Sequence, residues 1–161
     1  QERKTQIYKD FVAGGTASLR PGIQRLIDEI IAIPGGKIAI CSASTKESCL
    51  FVLDNLLGKE NLEKFHLILA GDDVSRRKPD PMIYNLAAEK LSVVPERSVV
   101  LIEDSLIGLK AALGAGMKCV ITHTESTKNQ DFSGAVRVYP ELGDEGDAQV
   151  RAQGLLKLAG V

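Results

Sequence analysis

Tryptophan is absent from the 161 residues, and aromatic side chains make up only 4% of them. Proteins that hold single-stranded nucleic acid stack bases on aromatic platforms, so this scarcity argues against such a surface. Neither sign of charge dominates, with 20 Lys and Arg against 21 Asp and Glu for a formal net charge of -1. That balance excludes a broadly basic nucleic-acid face, and any positive potential must be local. No apolar run approaches the roughly 18 residues of a membrane-spanning helix, and the opening stretch has no signal-peptide core. The three cysteines, Cys41, Cys49 and Cys119, are odd in number and form no CxxC pair. A disulfide framework or thiolate zinc site is therefore disfavoured; small buried thiols in a reducing compartment are expected. A Gly-rich dinucleotide fingerprint, a Walker A loop and a nucleophile elbow are also missing.

What is present is an ordinary globular composition, 44% hydrophobic and 25% charged, at a length that suits one domain. Gln1–Val12 carries Ile7, Tyr8, Phe11 and Val12 on one helical face before Gly14 and Gly15 break the pattern. Pro21 opens a second helical stripe through Ile23, Leu26, Ile27, Ile30 and Ile31, which Pro34-Gly35-Gly36 ends. Lys37–Ala43 is a short, nearly unbroken apolar run, the signature of a strand buried on both faces. Ser44 and Glu47 suggest a capping box for a helix that stops at Gly58. His66–Ala70, Ser98–Ile102, Met117–Ile121 and Ala135–Tyr139 are further strand candidates. Helices are expected after Asp80-Pro81, over Ser105–Ala115 and over Asp147–Leu158. This alternation predicts an α/β fold: a doubly wound, Rossmann-like parallel sheet with helices on both faces.

In open α/β sheets, ligands bind beyond the carboxyl ends of the strands. Those ends carry Ser42-Ala43-Ser44, then Gly71-Asp72-Asp73 with the loop Arg76-Arg77-Lys78-Pro79, then Glu103-Asp104-Ser105, then Thr122-His123-Thr124. A hydroxyl, a fixed cation and a carboxylate pair are thus expected together. Adjacent acids at the end of a buried strand repel unless a cation or proton intervenes, and hard oxygen ligands suit Mg²⁺ beside a phosphate. The structural alternative has Asp104 or Ser105 capping the next helix while Glu103 is solvated. Lys78 could equally be a solvated lysine, and Ser42 a strand terminator. His66 and His123 are isolated and suggest no zinc site.

Taken in order, these strand ends resemble the haloacid dehalogenase-like hydrolase superfamily. KIAICSAS resembles its second motif, with Ser42; RRKPDPMIY resembles its third, with Lys78; VVLIEDSLIGLKAALGAGM resembles its fourth, with Glu103 and Asp104. LRPGI, AGDDV and IEDSLIGL are similar to the CbbY-like branch of plant and algal plastids. The match runs over residues 19–140, leaving 1–18 as the expected end of a cap helix with its linker and 19–161 as a partial hydrolase core.

The resemblance implies a Mg²⁺-dependent phosphatase that works through an aspartyl-phosphate on a small phosphorylated metabolite, a sugar phosphate or bisphosphate. It implies Ser42 and Lys78 as catalytic groups, Ser42, Ala43 and Lys78 as the phosphate site, and Glu103 and Asp104 as Mg²⁺ ligands. A plastid stromal location follows from the same resemblance, whereas a sugar phosphomutase or a catalytically silent α/β binding domain are the alternatives. Neither nucleic acid nor membrane is an expected partner. The family's first motif, Asp-x-Asp-Gly-Thr, which carries the nucleophile on a central strand, does not occur in the sequence. The expectation is therefore the larger part of an enzyme without its front end, inactive alone, whose sheet has an unfilled slot or a rearranged pairing.

Overall fold

The computed structural model describes residues 14, 15, 17–143 and 149–160. The helix expected over Gln1–Val12 lies outside them. The first element among the described residues is α1 (Ile23–Ile31), whose apolar stripe buries Leu26 and Ile27; it begins two residues after Pro21, with Gly22 at its N-cap. β1 (Ala39–Cys41) follows, shorter than its apolar run. Next comes α2 (Lys46–Leu62), broken at Gly58, where φ is 74° and ψ is 162°. The expected stop at Gly58 is thus a break, after which one more helical turn forms.

Ser44 does not cap α2. Thr45 does, accepting from the Ser48 N–H, while the Asp72 carboxylate takes the Lys46 N–H at 2.9 and 3.0 Å. The cap slips by one because a loop distant in sequence supplies the second acceptor. β2 (Leu67–Leu69), α3 (Met82–Leu91) and the short α4 (Pro95–Ser98) come next. β3 (Val100–Glu103) leads into α5 (Leu106–Gly114), which Ser105 caps through the Gly108 N–H at 3.3 Å, although Glu103 is not solvated as that alternative supposed. β4 (Lys118–Thr122), β5 (Arg137–Tyr139) and α6 (Ala152–Ala159) complete the order. α6 starts five residues later than the apolar spacing suggested.

Every strand pairing among the described residues is parallel: β1 with β2, β3 with β4, and β4 with β5. Side chains alternate along β4. Cys119 and Ile121 enter a core with Ile83, Tyr84 and Ala87 of α3 and Leu109 and Ala112 of α5. Val120 points the other way, into a core with Leu26 of α1 and Leu155 of α6. This period of two puts helices on both faces, as the doubly wound reading requires. Leu69 of β2 joins the first core, so the β1–β2 pair packs under the same helices.

Among the described residues no pairing joins β1 to β3. Burial follows that break. β4 is buried from Cys119 to Thr122, whereas β1 and β3 are half-buried along their whole length.

Candidate active site

Two of the predicted site residues, Lys78 and Glu103, meet where β1 and β3 end. Lys78, in the loop before α3, sends its Nζ to the Cys41 carbonyl at 2.8 Å and to Glu103 Oε1 at 2.5 Å. Cys41 ends β1 and immediately precedes Ser42; Glu103 ends β3. One ammonium therefore ties together the carboxyl ends of two strands that do not pair. The ion pair is secluded, with side-chain exposures of 8% for Lys78 and 10% for Glu103. Charges so far from water persist only with close geometry and further hydrogen bonds. Here Tyr84 of α3 supplies one by donating its hydroxyl to the same Glu103 Oε1, and the Lys78 ammonium lies 4.7 Å from the Tyr84 ring centroid. Burial, reinforced by the Glu103 charge, pushes the Tyr84 phenol far above its ordinary pKa, so it stays a protonated donor.

Gly108 closes the other side. A Cβ there would overlap the Glu103 carboxylate, so the first turn of α5 can pass over this acid only as glycine. The residue after Glu103 behaves differently. Asp104 is exposed, and nothing among the described residues donates to its carboxylate, although its N–H meets Glu103 Oε2 at 3.3 Å.

At the end of β1, Ser42 is half-buried. Its N–H continues the ladder to the Leu69 carbonyl at 2.9 Å, and its Oγ accepts from the Ser44 N–H at 3.1 Å. Ala43 is exposed, and its N–H has no acceptor among the described residues. Together these strand ends offer a hydroxyl, a backbone N–H, a cation and two carboxylates.

The remaining charged residues of these loops have structural partners. Asp73 takes Lys46 Nζ at 2.9 Å and the Ala70 N–H at 2.7 Å, and the Lys46 hydrogen bond comes first in holding its carboxyl below the usual range. Arg76 pairs with Asp80 at 2.6 Å, and Arg77 donates to the Gly71 carbonyl at 3.2 Å. The cysteines are free; burial raises Cys41 to about 11 and Cys119 to about 12, which leaves them unreactive thiols at neutral pH.

Among the described residues no three His, Cys, Asp or Glu side chains gather as a metal cluster. Mg²⁺ asks for less, one or two carboxylates with water and substrate phosphate completing its shell. Asp104 fits that demand with an exposed, unengaged carboxylate. Glu103 can add only Oε2, which already accepts the Asp104 N–H and lies against Gly108, since two donors engage Oε1.

Sequence reasoning missed Tyr84 and Gly108. The signal for Tyr84 was its place beside Ile83, three residues before Ala87, on the buried stripe of α3. A third omission was Arg20, which grips the carbonyls of Thr122, His123 and Pro140 and so fixes the ends of β4 and β5.

Comparison with known proteins matches residues 2–122 to the haloacid dehalogenase-like hydrolase family. A haloacid dehalogenase-like hydrolase domain-containing protein of Arabidopsis thaliana is 49% identical over 144 residues, covering 89% of this chain and 45% of the relative. A phosphorylated carbohydrates phosphatase of Thermotoga maritima is 38% identical over 118 residues, covering 73% of this chain and 50% of the relative. The crystal structure of a mutant of CbbY from Rhodobacter sphaeroides, in complex with xylulose-(1,5)bisphosphate, superimposes with a TM-score of 0.83 at 36% identity. It covers 94% of this chain and 65% of the CbbY chain. The chain spans about half the length of the two curated relatives, 45% and 50%. With matching motifs, a family match over most of its length and a superimposing core, the chain belongs to the haloacid dehalogenase-like hydrolases.

Proposed function

We propose that the intact protein is a Mg²⁺-dependent phosphatase of a small phosphorylated sugar, and that a pentulose bisphosphate is the first substrate to assay. The observation that carries this reading is the secluded Lys78 ammonium, held between the ends of β1 and β3 beside Ser42, Ala43 and the two acids. The phosphatase and CbbY relatives support it. On this reading residues 1–18 are the end of a cap helix and its linker, and 19–161 are the larger part of the core.

Phosphoryl transfer spreads charge over equatorial oxygens, so placed charges and donors do most of the work. Lys78 neutralises the phosphoryl group, while the Ser42 hydroxyl and the Ala43 N–H donate to its oxygens. Glu103 holds Lys78 in place and, with Asp104, holds the metal. Mg²⁺ bound there supplies Lewis-acid polarisation of a phosphoryl oxygen. The nucleophilic aspartate lies outside the 161 residues, so this chain alone is expected to give no turnover. On the family likeness we also place the intact protein in the plastid stroma, which a fluorescent fusion of the full coding sequence checks.

The test is phosphate release from pentulose bisphosphates by the intact protein, with and without Mg²⁺. Lys78→Ala and Asp104→Asn are each expected to lower kcat by about 100-fold or more, the usual scale for one preorganised charge or donor. Full activity in both variants would remove these role assignments. An isomeric product without free phosphate would make the protein a mutase, and no reaction at all would leave it a binding domain.

A further inference from the structure

We propose that Tyr84 is a positioning residue of this site: its hydroxyl orients the Glu103 carboxylate while its ring face supports the Lys78 ammonium. The role in turnover rests on the phosphatase reading above; the positioning rests on geometry alone.

Lys78 and Glu103 are long side chains, and an ion pair by itself does not fix where such a pair sits. The terminal torsion of a glutamate is broad, and a lysine side chain has many rotamers to lose. Tyr84 has neither freedom. It is 2% exposed, packed into the core by α3, and has two χ angles, so its hydroxyl stands at one place. Glu103 Oε1 is pinned to that place by the phenol, and Gly108 leaves room for the rest of the carboxylate against α5. Lys78 is then held by three groups: Glu103 Oε1 at 2.5 Å, the Cys41 carbonyl at 2.8 Å and the Tyr84 ring at 4.7 Å. An ammonium has three N–H donors, and two are engaged. The third remains for a phosphoryl oxygen. Because Tyr84 shares Oε1 with Lys78, it also keeps the carboxylate from drawing the ammonium away from that task.

A tyrosine that merely fills the core would affect stability and nothing else. Tyr84→Phe keeps the ring and differs by one oxygen atom, so it separates the two roles. In the intact protein it is expected to lower kcat about tenfold or more with KM within about twofold, the scale seen when a partner that orients a ligating group is removed. The Mg²⁺ dissociation constant, measured calorimetrically, is expected to rise. The side-chain Nζ resonance of Lys78, followed by NMR in ¹⁵N-lysine-labelled protein, is expected to shift or to broaden from faster exchange. Tyr84→Leu, which removes ring and hydroxyl, is expected to lose more activity than Tyr84→Phe. An unchanged Lys78 resonance in Tyr84→Phe overturns the proposal whatever the activity. So does a kcat within twofold of the wild type, or a loss confined to KM. Should the wild-type protein release no phosphate from any sugar phosphate, the phosphatase reading fails and the Lys78 resonance alone decides the role of Tyr84.

Discussion

A glycine inside a helix is normally a weakness, costing about 0.5–1 kcal/mol relative to alanine because it has more backbone freedom to lose. α5 contains one whose absence of a side chain has a use. At Gly108 an added methyl group would collide with the Glu103 carboxylate, whereas at Gly154 in α6 nothing lies within 4 Å. Gly154→Ala is therefore expected to stabilise by about 0.5–1 kcal/mol. Gly108→Ala is expected to destabilise, because Glu103 must leave Lys78 and Tyr84 or α5 must shift. Breaking a buried pair by displacing one partner commonly costs about 3–5 kcal/mol. Urea unfolding of the two variants checks this, and equal stabilisation in both would show that the Glu103 carboxylate is not held where the structure places it.

Between elements, α1 and α6 are joined by a small charge network. Glu29 of α1 takes Arg25 at 2.9 Å, Arg151 at 2.7 Å and the Ala152 N–H at 2.8 Å, so one carboxylate serves its own helix and the start of α6. Burial alone would raise its pKa. The hydrogen bonds from Ala152, Arg151 and Arg25 together outweigh burial and hold it at about 2, below an ordinary 4.5. A depressed carboxylate contributes its full stability above the unfolded pKa and loses it as pH falls through the folded one. Stability is therefore expected to decline between pH 4.5 and about 2, with a shallower decline in Glu29→Gln. Urea midpoints at pH 5, 4 and 3 measure both slopes, and parallel slopes would dismiss Glu29 as the source.

The same scale shows what the sequence carried. Apart from the short α4, which takes Ser98 from the expected strand, element order and type were readable because short apolar runs and helical stripes alternate. The ends were not. The α2 cap depends on Asp72, 26 residues away from Lys46, and no local pattern encodes that contact. The site was half legible for the same reason. Ser42, Lys78 and Glu103-Asp104 stand at strand ends or in motifs. Tyr84 reads as one more apolar position of a buried stripe until folding brings its hydroxyl to Glu103 across 19 residues of chain.

For the whole molecule, the break in pairing between β1 and β3 sets how strength is distributed. β4 has a partner on each side and a core on each face, so its amides open only with the domain. β1 has β2 alone among the described residues and is half-buried throughout. The β1–β2 pair is held to the rest by apolar contacts of Leu69, Cys41 and Leu67 with the core under α3 and α5, and by the polar tie from Lys78 to Cys41 and Glu103. Hydrogen exchange on this polypeptide is thus expected to be slowest at Val120 and Ile121 and faster at Ile40 and Cys41. Lys78→Ala leaves the apolar contacts but cuts the tie, and it leaves Glu103 with Tyr84 as its remaining side-chain donor. Protection should then fall more in β1 and β2 than in β4. An equal loss across all five strands would mean that the two sheets open as one unit and that Lys78 does not join them; a selective loss would make Lys78 the bond that holds the ends of β1 and β3 together.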